Sequence, residues 1–434
     1  MKKVLIITYY WPPSGGAGVQ RWLKFVKYLR GFGWEPIVYT PSNPESPVED
    51  VSLFKDVPPD MEILKTPIWE PYDLYKKFVG RKPGEKINAG FLSEKKQAGL
   101  TEKISVWMRG NFFIPDARKF WVKPSVNFLS AFLKDHPVDA IISTGPPHSM
   151  HLIALGLKEK FDFPWLADFR DPWTNIDFYD QLMLTKYANA KHKKLEKQVL
   201  LKADRVVIVS WNWAEDLKKI APVRVDVVTN GYDEEDFQFP SAEPMEKKEF
   251  IVCHLGSINK DRNPHQFWKA VKELAGRHND FRSQIKIKLI GKNDISVTES
   301  IISHNLENMA EKIPYIPHDH AISMLNASDV LLLPLNNTPN TDGVIPGKLF
   351  EYLASRKPIL GIGSEKGDTA RIINETGSGM VCDFNDTEKI KNELYNFYNN
   401  FKLNKPWIFK TDLSKYSRKN CCGQIAHILN EIII

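Results

Sequence analysis

Apolar positions along the chain follow two alternating registers. Short runs rich in Val, Ile and Leu alternate with longer stretches in which apolar residues recur every three or four positions. KVLIITYY opens the chain as a buried strand. Val19, Trp22, Leu23, Val26 and Leu29 then share one face of a helix, which Gly31 and Gly33 end. PIVYT is the second strand. A strand–helix–strand unit implies a parallel sheet. Residues 41–125 are Pro-rich and irregular, and read as an insertion. The alternation resumes with VDAIIST, a helix over 149–160, WLADF, a helix over 182–201, RVVIVS, a short helix and VDVVTN. The first domain is expected over 1–240.

SAEPMEKKEF has the polarity of a linker. FIVCHLGS restarts the rhythm, followed by a helix over 265–274, IKIKLIG, a helix, KIPYIP, a helix, VLLLPL, a helix over 349–355, PILGIG, a helix and MVCDF. The second domain is expected over 246–405. The segment 406–434 reads as helical with no strand to serve, and is expected to pack back on the first domain. The fold class is therefore α/β, with two Rossmann-like, doubly wound domains facing a cleft. Ligands of such sheets bind outside the carboxyl ends of the strands.

Composition changes this picture little. The chain has 434 residues, 42% of them hydrophobic and 26% charged, which suits a globular protein of two or three domains. No apolar run is long enough to span a membrane, and the N-terminal run is too short for a signal peptide. The four cysteines have neither metal nor disulfide spacing, and Cys421 and Cys422 are adjacent. A reducing, cytoplasmic setting is expected. The net charge of +6 is uneven, because residues 76–123 carry twelve Lys/Arg against four Asp/Glu. Trp107, Phe112, Phe113, Phe120 and Trp121 lie in the same stretch. A solvated basic face over buried aromatics, contact with anionic lipid headgroups, and nucleic-acid binding all fit that pattern.

Candidate chemistry sits at strand ends. YYWPPSGGAGVQRW follows the first strand. Gly15 and Gly16 let backbone N–H groups approach a ligand at the positive end of the next helix; an unliganded tight turn is the alternative. Arg21 occupies the place of the third glycine of a dinucleotide fingerprint, and no GK[ST] follows, so nicotinamide and P-loop chemistry are disfavoured. TNGYDEEDF places Asn230 after the last strand of the first half, where a plain turn is the alternative. HLGSINKDRNP places Gly256 at a strand end and Arg262 in the loop feeding the next helix, where Arg suits bidentate phosphate binding. In DGVIPGKLFEYLASRKPIL, Pro346 and Gly347 precede a helix that starts near Lys348, and Lys348 and Glu351 share a face of it. The helix start and Lys348 suit a phosphate, and Glu351 suits a pair of ribose hydroxyls. A first-turn Glu that merely complements the helix dipole is the alternative. Asp168, Arg170 and Asp171 of DFRDPW, with His148 of TGPPHS, form either an acceptor site or a buried salt-bridge network.

Taken in order, these pieces resemble the GT-B glycosyltransferases, specifically the retaining group called family 4. GGAG, ADRVVIVS, TNGYD, IKLIG, ASDVLLLPL and IPGKLFEYLASRKPIL carry the resemblance along nearly the whole chain. DFRDPW resembles a variant found in bacterial surface-polysaccharide enzymes. The chain departs from the family at Gly343, where the first of two paired glutamates would fall; the second falls on Glu351. Ser257 stands in place of the usual Arg, and Arg170 in place of a catalytic His.

The resemblance implies transfer of a sugar from a nucleotide diphosphate sugar to a glycan or polyprenyl-linked acceptor, in surface polysaccharide or lipopolysaccharide biosynthesis. Configuration would be retained, with no metal and no cofactor. Donor-binding residues would be Gly15, Gly16, Asn230, Gly256, Arg262, Gly347, Lys348 and Glu351. His148, Arg170 and Asp171 would be the catalytic group beside the acceptor. A lipid-linked acceptor would add peripheral contact with an anionic membrane at the inner face of the plasma membrane, and nucleic acid is not an expected partner. The alternatives are a nucleotide-sugar 2-epimerase of the same fold and an inactive sugar- or lipid-binding scaffold.

Overall fold

The computed structural model describes residues 1–46, 49–71, 100–237, 248–314 and 316–433. The first part of the basic stretch, up to residue 99, and most of the linker between the two halves lie outside them. The chain divides into two compact units, Met1–Thr229 with Arg418–Ile434, and Asn230–Ser417.

In unit 1 the strands are β1 (Lys2–Ile7), β2 (Trp34–Pro41), β3 (Glu62–Thr66), β4 (Ala140–Gly145), β5 (Trp165–Phe169), β6 (Arg205–Ile208) and β7 (Val225–Val227). They form one sheet in the order β3-β2-β1-β4-β5-β6-β7, with every pair parallel. The described helices are α1 (Ala17–Leu29), α2 (Leu100–Phe112), α3 (Lys119–Asp135), α4 (Ser149–Phe161), α5 (Lys186–Lys202) and α6 (Trp211–Ile220). Val19, Trp22, Leu23 and Val26 of α1 are fully or almost fully buried against the sheet, as their spacing requires.

Unit 2 repeats the plan. Its strands are β8 (Phe250–Leu255), β9 (Ile285–Ile290), β10 (Ala310–Ile313), β11 (Val330–Pro334), β12 (Ile359–Ile362) and β13 (Gly379–Cys382). Their order is β10-β9-β8-β11-β12-β13, again all parallel. The helices are α7 (His265–Arg277), α8 (Asn279–Gln284), α9 (Ile295–Ser303), α10 (His318–Ala327), α11 (Gly347–Ala354), α12 (Asp368–Thr376) and α13 (Thr387–Lys402). Phe267, Trp268 and Val271 of α7 meet Leu394 and Tyr398 of α13 in the core. The last helix, α14 (Arg418–Ile432), belongs to unit 1, where Cys422, Ile425 and Leu429 join the core around α1.

Three sequence expectations change. The stretch 41–125 is not wholly an insertion, because β3 completes the sheet by pairing with β2 and α3 buries Trp121 against Tyr39, ring stacked on ring at 4.8 Å. EILKT is a half-exposed edge strand with no apolar run, which is why the pattern hides it. The division between units falls after Thr229 rather than near 240. Residues 406–417 stay with unit 2, where Trp407 packs on Phe397 and donates to the Gly377 carbonyl. Among the described residues no helix is long and apolar enough to cross a membrane.

Candidate functional site

In a doubly wound sheet the crevice lies where successive connections run in opposite directions. In unit 2 that point is between β8 and β11. Gly256 follows β8 with φ of 138°, a conformation that side chains rarely adopt. A Cβ there would lie 3.5 Å from His254 Nε2 and 4.0 Å from Lys348 Cγ, so bare backbone borders both residues. Arg262 is set by a short turn that Asn259 caps, its side-chain oxygen accepting from the Arg262 N–H at 2.9 Å. The guanidinium donates from Nε to Asn336 Oδ1 at 3.0 Å and from Nη1 to the Ser257 carbonyl at 3.2 Å. It thereby links the loops that leave β8 and β11.

Helix α11 is fixed to the same edge. The Tyr352 hydroxyl accepts from Leu255 N at 2.8 Å and donates to the Leu332 carbonyl. Its first turn has no side-chain cap, and the exposed Gly347 opens it with no heavy atom within 4 Å of a Cβ position. Such a helix start presents N–H groups and positive potential. Lys348 Nζ stands 3.0 Å from Glu351 Oε2, a half-exposed pair. Beneath them, His254 Nδ1 donates to the Leu332 carbonyl at 3.0 Å, and its buried Nε2 has no hydrogen-bond partner among the described residues. Burial first, then Arg262 and Lys348, push the imidazole down to about 4, so it is neutral at pH 7 with its lone pair on Nε2.

In unit 1 the corresponding point is between β1 and β4. Gly16 precedes α1 with φ of 89°, and open space surrounds its Cβ position, so backbone conformation alone calls for glycine. Gly15 is half-buried beside it. Arg170 is buried and donates to the carbonyls of Gly18, Gly145 and Pro146. Its charge ties the first turn of α1 to the end of β4 and the loop that follows. Asp171 is half-buried, and burial pushes its carboxyl up while Arg170 pulls it down. His148 stacks on Trp173 at 4.7 Å, and its buried Nδ1 has no hydrogen-bond partner among the described residues. Burial, then His151 and Arg170, hold it well below the usual imidazole range.

Asp168 does not join that group. It is fully buried and faces Arg21, with contacts at 3.0 and 3.2 Å. It also accepts from Trp22 Nε1 at 2.6 Å and from Thr144 Oγ1 at 2.9 Å. Arg21 further donates to the carbonyls of Val228 and Thr229. For this residue the salt-bridge reading is the correct one.

The structure thus gathers Gly256, Arg262, Gly347, Lys348 and Glu351 at the β8–β11 edge of unit 2. It gathers His148, Arg170 and Asp171, with Gly15 and Gly16, at the β1–β4 edge of unit 1. Asn230 is the first residue of unit 2. Sequence reasoning missed His254, Asn336 and the role of Gly18. Only His254 left a signal, as a polar residue in an apolar strand.

Two parallel, doubly wound units of this kind define the GT-B class of fold, and comparison with known proteins agrees. Residues 235–416 match the family described as "Glycosyl transferases group 1". Over 260 residues the chain is 28% identical to a protein of Pseudomonas aeruginosa described as "Probable glycosyltransferase WbjE". That match takes in 57% of this chain and spans 63% of the relative's length. A glycosyltransferase from Rickettsia africae has a similar structure, with a TM-score of 0.62 at 14% identity, covering 100% of this chain and 98% of the other. The Anabaena protein Alr3699/HepE, solved in complex with UDP and glucose, gives 0.55 at 11% identity, covering 100% and 97%. These findings show the GT-B fold, and the family match lies within unit 2.

Proposed function

We propose that this chain transfers a sugar from a nucleoside diphosphate sugar to a hydroxyl of a glycan or polyprenyl-linked acceptor. Retention of configuration and a place in surface polysaccharide or lipopolysaccharide biosynthesis follow from the family resemblance. The observation that carries the reading is the convergence of Arg262, Lys348 and the bare Gly256 backbone at the β8–β11 edge. Negative charge grows on the departing diphosphate as the glycosidic bond breaks. Fixed cations and a helix start stabilise that charge without reorganising. Arg262 and Lys348 would supply it here without a divalent ion, and no cofactor is called for.

Glu351 would accept from the ribose hydroxyls. Its present partner is Lys348, so nucleotide binding would divide the pair, ammonium to phosphate and carboxylate to ribose. The UDP complex of the Anabaena relative supports a nucleotide donor. In unit 1, His148 and Asp171 would contact the acceptor, while Arg170 positions the loops around them. All four cysteines are buried free thiols, which suits work in the cytoplasm, at the inner face of the membrane.

The test is release of nucleoside diphosphate from a panel of nucleotide sugars, with and without glycan or polyprenyl-phosphate acceptors. A transferase releases it when acceptor is present. Interconversion of the donor without release would instead identify an epimerase, and neither outcome would leave a binding scaffold.

A further inference from the structure

Helix α2 is built inside out. Its small residues face the protein: Ser105 is buried, and a Cβ on Gly110 would lie 2.8 Å from Leu184 Cδ2. Its large apolar residues face outward, with Ile104, Trp107, Met108 and Phe112 all exposed. Their spacing of three and four places them on one stripe. Phe120, at the start of α3, extends the exposed surface and meets the exposed ring of Trp69 at 4.9 Å. Isolated exposed apolar residues are ordinary, whereas a contiguous stripe marks an interaction surface.

Charge around the stripe is predominantly basic. Lys103 and Lys123 are exposed, and Lys119 holds its ammonium over the rings of Phe113 and Phe120. Lys191 of α5 adds its field at Lys119. Within residues 100–123 the acidic residues are Glu102 and Asp116, and Asp116 points inward to cap α4 through Ser149. Glu70 is likewise turned onto Tyr9 and Arg118.

The geometry points to an anionic lipid surface as the partner of this face. Ile104, Trp107, Met108, Phe112 and Phe120 enter the interfacial layer, and Lys103, Lys119 and Lys123 lie among the headgroups. A helical stripe with Ile and Met at its centre offers no flat aromatic platform for stacking bases. A second copy of the chain would bring the same lysines together and repel. The proposal does not depend on glycosyl transfer.

Co-sedimentation of the full chain with vesicles of phosphatidylglycerol and phosphatidylcholine tests it. The protein should bind anionic vesicles at low salt, bind pure phosphatidylcholine weakly, and release as salt rises. Trp107→Ser with Phe112→Ser, and separately Lys119→Glu with Lys123→Glu, should each weaken binding on the order of tenfold or more. Melting temperature and nucleotide affinity should stay unchanged, which separates a surface effect from unfolding and from loss of the donor site. Failure of the unmodified chain to bind anionic vesicles overturns the proposal. So does unaltered binding by the serine variant, tighter binding to single-stranded nucleic acid than to vesicles, or a dimer that the serine variant breaks while vesicles are ignored.

Discussion

Arg262 Nε donates to Asn336 Oδ1 across 3.0 Å, which fastens the cation of one strand end to the loop of its neighbour. The two residues are 74 apart in sequence and meet because β8 and β11 are adjacent in the sheet. A guanidinium held this way loses little freedom when a phosphate arrives. Arg262→Ala should weaken nucleoside diphosphate binding by about ten- to a hundredfold, the range of a charge-assisted hydrogen bond. Asn336→Ala should weaken it less, because the cation remains but is no longer aimed. Titration calorimetry with each variant checks both.

Lys348 and Glu351 neutralise each other in the unliganded chain. Glu351→Gln should therefore act unequally on two ligands. Inorganic pyrophosphate should bind more tightly, since Lys348 is released. A nucleoside diphosphate should gain less or lose affinity, since the ribose loses its carboxylate. Equal changes for both ligands would remove Glu351 from the ribose.

Asp168 tests the division between framework and chemistry. Its carboxylate meets Arg21, Trp22 and Thr144 with no exposed surface. Breaking a buried pair leaves an uncompensated charge at a cost of about 3–5 kcal/mol. Asp168→Ala should lower the urea midpoint of unit 1 accordingly. A variant that kept its stability while losing turnover would place Asp168 in the reaction instead.

Stability should fall on mild acidification. Burial lowers the pKa values of His148, His151, His192 and His254, with His151 at about 3 and His254 at about 4. Each ring is harder to protonate in the fold than in the unfolded chain, where it protonates near 6.5. The unfolded state therefore binds more protons below that pH. The stabilisation is complete above about 6.5 and declines towards 4, by at most about 1.4 kcal/mol per pH unit for each ring. Melting curves between pH 8 and pH 5 check the direction, and His151→Gln should flatten the slope.

The alternation of strands and helices was legible because most strands are continuous apolar runs and most helices carry an apolar stripe. Edge strand β3 was not, since its pattern is short and half-exposed. The residue types at the β8–β11 edge were legible because Gly256, Arg262, Gly347 and Lys348 stand where the apolar strand pattern breaks off. Their partners were hidden. Asp168 and Arg21 are 147 residues apart, and Arg170 bonds to backbone carbonyls, which leave no mark in a sequence. The stripe on α2 was visible as aromatic content, but which side faced water depended on how Ser105 and Gly110 pack. Trp121 belongs to the same stretch and faces the core.

The central claim is that the β8–β11 edge of unit 2 holds a diphosphate through Arg262 and Lys348. Calorimetric titration of UDP, GDP and ADP into the full chain, in chelator, measures it directly. One of them should bind at one site per chain, with affinity that falls by at least about tenfold in Arg262→Ala and in Lys348→Ala. Binding by none of them, or binding that both substitutions leave intact, would contradict the account.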